Sequence, residues 1–107
     1  MLKKLLPVTA SLLLVCACAA VAQPAEIRIS WWGGNSRHQA TLKAIELFEK
    51  QNPDIQVKAE YAGWEGYLSR LTVQMAGGNE PDVIQTNWNW LPLFSKDGDG
   101  FYDLLKL

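Results

Sequence analysis

Cysteine is scarce in this sequence: its 107 residues hold two, Cys16 and Cys18, both within the first twenty positions. Histidine is scarcer still, with His38 alone. Beyond residue 22 no thiol remains, which excludes a disulfide framework, a cysteine nucleophile and a thiolate metal site from residues 23–107. A lone histidine excludes the two-histidine HExxH arrangement, and neither a Gly-x-Ser-x-Gly elbow nor a complete phosphate-binding glycine fingerprint is present. No surplus of positive charge exists either. Ten Lys/Arg face eleven Asp/Glu over the chain, and from Gln23 onward the balance is eight to eleven, a formal −3, which argues against nucleic-acid binding. Internal repeats and low-complexity segments are likewise missing, so a solenoid is not indicated.

The N-terminus explains where the cysteines sit. Lys3 and Lys4 precede an apolar run from Leu5 to Ala22, the charged and apolar regions of a secretory signal peptide. A transmembrane anchor needs about 20 apolar residues and a stop-transfer flank, whereas Pro7, Thr9 and Ser11 interrupt this run. Ala20-Val21-Ala22 supplies small side chains where a signal peptidase requires them, so cleavage is expected before Gln23, with residues 1–22 as the leader. The alternative is a lipid on Cys18, which follows Ala17; Cys16 two positions earlier is unusual there, and ordinary cleavage fits better. The remaining 85 residues bury only about 60–65% of their unfolded surface, a marginal core.

What is present is a regular alternation of periodicities. Ile27, Ile29 and Trp31 alternate with Arg28, Ser30 and Trp32, predicting a strand that Gly33-Gly34 breaks. Ser36 and Gln39 fit a capping box, and Leu42, Ile45 and Phe48 share a helical face up to Asn52-Pro53, with Glu46 and Lys50 paired on the opposite side. Ile55, Val57, Ala59 and Tyr61 define a second strand. Trp64 to Ala76 reads as a second helix ended by Gly77-Gly78. Val83-Ile84 reads as a short buried third strand, Trp88 to Ser95 as a weaker helix, and Phe101 to Leu107 as the opening of another element. Strand–helix–strand–helix–strand order implies an α/β class with a mainly parallel sheet and helices on its faces.

In such sheets ligands bind beyond the carboxyl ends of the strands. Three loops occupy those ends: 32–38, 62–65 and 85–90. All five tryptophans lie in or beside them. An indole offers a flat apolar face to the C–H face of a sugar ring, and Asn, Gln and Arg satisfy its hydroxyls or carboxylates. Trp31 shares the parity of Ile27 and Ile29 and is expected in the core; Trp32 has the other parity and is the better ligand candidate. Trp64, Trp88 and Trp90 are equally open to packing roles. Arg37 and His38 stand in the first helical turn, where cations oppose the dipole; a bound carboxylate would account for them, as would solvation or pairing with a local acid.

Catalytic readings are thin. Glu65 and Glu80 could in principle act as paired glycosidase carboxylates, but Glu65 suits a helix start and Glu80 a turn. Asp97 and Asp99 around Gly98 suggest calcium only faintly, because the full twelve-residue loop is missing. No cofactor or metal is implied.

Three segments, Ile-Arg-Ile-Ser-Trp-Trp-Gly-Gly (27–34), Ala-Ile-Glu-Leu-Phe-Glu-Lys-Gln-Asn-Pro (44–53) and Gln-Met-Ala-Gly-Gly-Asn-Glu-Pro-Asp-Val-Ile-Gln (74–85), resemble in order and spacing the family 1 extracellular solute-binding proteins of carbohydrate ABC importers. The resemblance implies a type II periplasmic-binding-protein fold of two α/β lobes closing on an oligosaccharide, delivered to the importer's membrane subunits without chemistry. It implies ligand contacts from Trp32, Gly34, Asn35, Arg37, Trp64, Asn87, Trp88 and Asn89. The Trp-Trp-Gly-Gly and Gln-Thr-Asn-Trp-Asn-Trp segments look most like binding proteins for pectic oligogalacturonides. Members of that family run to several hundred residues, so residues 23–107 are expected to be an incomplete N-terminal lobe. The rival expectations are a secreted glycan-acting enzyme, a non-functional truncated product and a small structural or interaction protein.

Overall fold

The computed structural model describes residues 23–107; the expected leader, residues 1–22, and the lipid alternative at Cys18 lie outside the described residues. The elements follow the expected order: β1 (Ala25–Trp32), α1 (Asn35–Gln51), β2 (Ile55–Ala62), α2 (Tyr67–Ala76), β3 (Val83–Ile84), a 3-10 turn (Trp88–Trp90), α3 (Leu91–Phe94) and a last 3-10 turn (Leu104–Lys106). All three strands are parallel, in the order β2-β1-β3. The register runs from Ala25 opposite Ile55 to Trp32 opposite Ala62, and Ile29 and Ser30 face Val83 and Ile84.

Strand parity divides the side chains between two helical layers. Ile27, Ile29 and Val57 face α1, where Thr41, Ala44, Ile45 and Phe48 line the same apolar groove. On the other face α2 brings Tyr67 and Leu71, both buried, against Trp90, with Trp32, Ile84 and Phe94 packed around them. This second layer is the better filled, since α1 has no fully buried residue.

Local starts and stops differ from expectation in instructive ways. Ser36 is not the cap of α1: the helix begins at Asn35, with Gly34 in an extended N-cap conformation and no side chain capping it. Helix entry comes two residues early because the Gly33 N–H is anchored to the Ala62 carbonyl at 3.1 Å, which turns the chain as soon as β1 ends. The end of α1 does obey its sequence, with Asn52 donating from both backbone and side chain to the Phe48 carbonyl, at 2.9 and 3.0 Å. Likewise α2 starts at Tyr67 and not at Trp64, because Gly66 adopts a left-handed φ of 79°, a conformation that interrupts helix and suits glycine.

β3 is also less buried than its apolar sequence suggests. Val83 is 50% exposed, because β3 is an edge strand and α1 lies over β1 and β2 on that side of the sheet. The segment expected as one weak helix over 88–95 is split, with a 3-10 turn running into α3 at Leu91.

Candidate functional site

The strand order reverses between β1 and β3, where loops of neighbouring strands part and leave room for a ligand in doubly wound sheets. Both loops here are rich in aromatic and amide side chains. Trp32 ends β1 and forms the centre of an aromatic cluster, with ring centroids 5.2 Å from Trp64, 5.1 Å from Tyr67 and 5.4 Å from Trp90. Trp64 stacks on Trp90 at 5.4 Å with an interplanar angle of 19°. Trp90 is buried, yet Trp64 remains 53% exposed, so the cluster is anchored below and presents an indole face above.

The Trp32 backbone is held from both sides. Its N–H donates to Gln85 Oε1 at 3.1 Å, and its carbonyl accepts from Arg37 Nη1 at 3.2 Å. Gln85 is fixed in turn: its N–H donates to the Ser30 carbonyl at 2.8 Å, and its carbonyl accepts the Tyr67 hydroxyl at 2.8 Å. Burial pushes the Tyr67 phenol above its ordinary pKa, with the Ser30 hydroxyl and the Arg70 charge drawing it partly back. Arg37 lies so close to Gly33 that a Cβ there would meet the Arg37 Cδ at 2.6 Å. Only glycine at 33 leaves the guanidinium free to reach Trp32.

Arg37 is exposed and, among the described residues, pairs with no acid; it donates to a strand-end carbonyl and keeps N–H groups to spare. His38 has a separate role on the other face of the sheet. Its Nδ1 accepts the indole N–H of Trp31 at 3.1 Å, and its ring lies 4.5 Å from Tyr61. Trp31 is buried, as its parity implied, and stacks on Tyr61 at 4.9 Å.

Of the residues expected at the site, Trp32, Trp64 and Arg37 are thus brought together. Gly34 and Asn35 open α1 directly beside them. Asn87 stands at the entry to the Trp88–Trp90 turn, its carbonyl accepting from Trp90 N–H at 2.9 Å. Trp88 is 84% exposed and Asn89 is exposed on the same turn; among the described residues neither makes a ring or hydrogen-bond contact with the cluster. Sequence reasoning missed the linking roles of Tyr67 and Gln85. Gln85 had a visible signal, an amide directly after a strand, whereas Tyr67 looked like an ordinary core residue of α2.

The suggested carboxylate pair fails on topology. Glu65 follows β2 and Glu80 precedes β3, so the two stand at opposite ends of parallel strands, far from the roughly 5–9.5 Å that glycosidase carboxylates require. Among the described residues no group of three metal-ligating side chains occurs.

The chain thus carries an aromatic and amide-rich shelf at the switch point of a parallel α/β sheet, the place where such sheets bind ligands. Residues 34–106 match the bacterial extracellular solute-binding protein family, and the chain belongs to that family. It is similar to a periplasmic solute binding protein from Pectobacterium atrosepticum, at 73% identity and a TM-score of 0.73, over 77% of this chain and 20% of that one. It is also similar to a periplasmic oligogalacturonide binding protein from Yersinia enterocolitica, solved with saturated digalacturonic acid, at 71% identity and a TM-score of 0.75 over 77% and 20% of the two chains. A de novo designed esterase matches at 71% identity and a TM-score of 0.74 with the same coverage. The chain spans about a fifth of the length of these structures. The fold is that of type II periplasmic binding proteins, the class of the neighbouring solute-binding structures.

Proposed function

We propose that this chain is the N-terminal lobe of the periplasmic substrate-binding component of an ABC importer, and that its ligand is a pectic oligosaccharide of uronic acids. The observation that carries this is the meeting of Trp32, an exposed Trp64 and Arg37 at the carboxyl end of the sheet. Trp64, and Trp88 from its exposed turn, stack on sugar rings; Asn35, Asn87 and Asn89 bind hydroxyls; Gly34 lets the backbone come close. The spare N–H groups of Arg37 take a carboxylate, a planar acceptor that suits the guanidinium fork. The 71% identity to a protein solved with digalacturonic acid supports the same ligand class. Capture proceeds without bond making, and the importer's membrane subunits are the partners that receive the sugar.

Isothermal titration calorimetry of the full chain with digalacturonate and with neutral galactobiose tests this. Heat that saturates with digalacturonate, and that Arg37→Met reduces, is the expected result. Binding of neither sugar by folded protein overturns the proposal.

A further inference from the structure

The two side chains that clamp Trp32 both have donors left over. Gln85 meets the Trp32 N–H through an oxygen, so its NH2 group keeps two donors for another partner. Arg37 spends one of its five N–H groups on the Trp32 carbonyl. Both line the same crevice of about 330 Å³ between α1 and the edge strand β3, above Ile29 and Val83 and beside Thr41. An apolar floor lowers the local dielectric and strengthens polar contacts made over it.

We propose that Gln85 and Arg37 together read a carboxylate in this crevice, and that Gln85 is a residue that makes the site prefer acidic over neutral sugars; this rests on the oligosaccharide-binding reading above. A carboxylate only accepts hydrogen bonds, and its two oxygens match one donor from the amide and one from the guanidinium. The hydroxymethyl group of a neutral sugar brings a proton that needs an acceptor. Arg37 has none, and one of the two lone pairs of the Gln85 oxygen is committed to Trp32, so the pair offers a hydroxyl fewer acceptors than it offers a carboxylate donors. Gln85 is also held rigidly, because its backbone N–H and carbonyl are fixed by Ser30 and Tyr67. Little ordering is therefore lost when the amide engages a ligand.

The test is Gln85→Glu in the full chain, with calorimetry against digalacturonate and galactobiose. Glutamate keeps an oxygen for the Trp32 N–H and replaces the donor amide with a second anionic oxygen. Affinity for digalacturonate is expected to fall about tenfold or more, with galactobiose binding and the melting temperature unchanged. A role confined to holding Trp32 would move both sugars alike, and a variant that binds digalacturonate as tightly as the parent overturns the proposal. Should glutamate lower the melting temperature, Gln85→Met, of similar length but without donors, must show the same selective loss. A parent chain that binds galactobiose but not digalacturonate refutes this inference while leaving sugar binding intact, and one that binds neither removes both.

Discussion

Arg28 on β1 grips the Glu60 carboxylate on β2 through Nη2, at 3.0 Å to one oxygen and 3.1 Å to the other. Its Nη1 meanwhile donates to the Asn79 carbonyl and side chain and to the Glu80 carbonyl, at 3.2, 3.3 and 3.3 Å. One guanidinium thus ties two strands to the loop that delivers β3. Because both side chains are largely withdrawn from water, removing one strands the other. Arg28→Met is expected to cost about 3 kcal/mol, and Glu60→Gln, which keeps a neutral acceptor, about 1 kcal/mol. Urea denaturation reads both, and equal small losses would show the pair to be a surface ornament.

Trp31 and His38 form a second link, from β1 to the first turns of α1. The indole of Trp31 is 4% exposed, so an unpartnered N–H there has little water to turn to. His38→Phe retains ring contact with Tyr61 but removes the acceptor, with an expected loss of about 1–3 kcal/mol. A midpoint in urea equal to that of the parent would show that the N–H finds another partner.

Tyr67 gives the chain an alkaline limit. Its phenol is raised above the ordinary tyrosine value by burial, so the folded state holds the proton more tightly than the unfolded one. That stabilisation is fully present below about pH 10 and is lost as pH rises through the raised folded value. Tyr67→Phe should flatten the fall in stability above about pH 10 while lowering stability at neutral pH, since the Gln85 carbonyl loses its donor. An identical alkaline profile in the variant would point to another group.

Trp64 and Trp88 separate packing from binding. Trp88 is 84% exposed, so Trp88→Ala should alter stability by no more than about 0.5 kcal/mol yet weaken digalacturonate binding. Trp64→Ala should cost about 2 kcal/mol of binding, roughly thirtyfold, with a smaller loss of stability from the broken stack with Trp90. Unchanged affinity in either variant removes that residue from the sugar platform.

The alternation of Ile27, Ile29 and Trp31 and of Ile55 to Tyr61 made the strands and their faces legible in the sequence, because one face of each strand meets a helix. The helix starts were less legible. Ser36 looked like a cap, but the anchoring of Gly33 to Ala62 comes from β2, and no local pattern reports it. The exposure of Val83 depends on its place at the sheet edge, which the strand order decides. At the site, residue type and strand-end position singled out Trp32, Trp64 and Arg37, which the fold brings together. Which tryptophan anchors the cluster and which stands free was not legible, since Trp88 and Trp90 differ only in how a short 3-10 turn aims them.

Tryptophan emission tests the central claim most directly, because Trp32, Trp64 and Trp90 touch one another at the proposed site. Titrating the full chain with digalacturonate should give a saturable change in emission that Trp64→Ala largely abolishes. A folded chain whose emission is indifferent to digalacturonate, or a change that persists undiminished without Trp64, would contradict the assignment of this shelf as the sugar site.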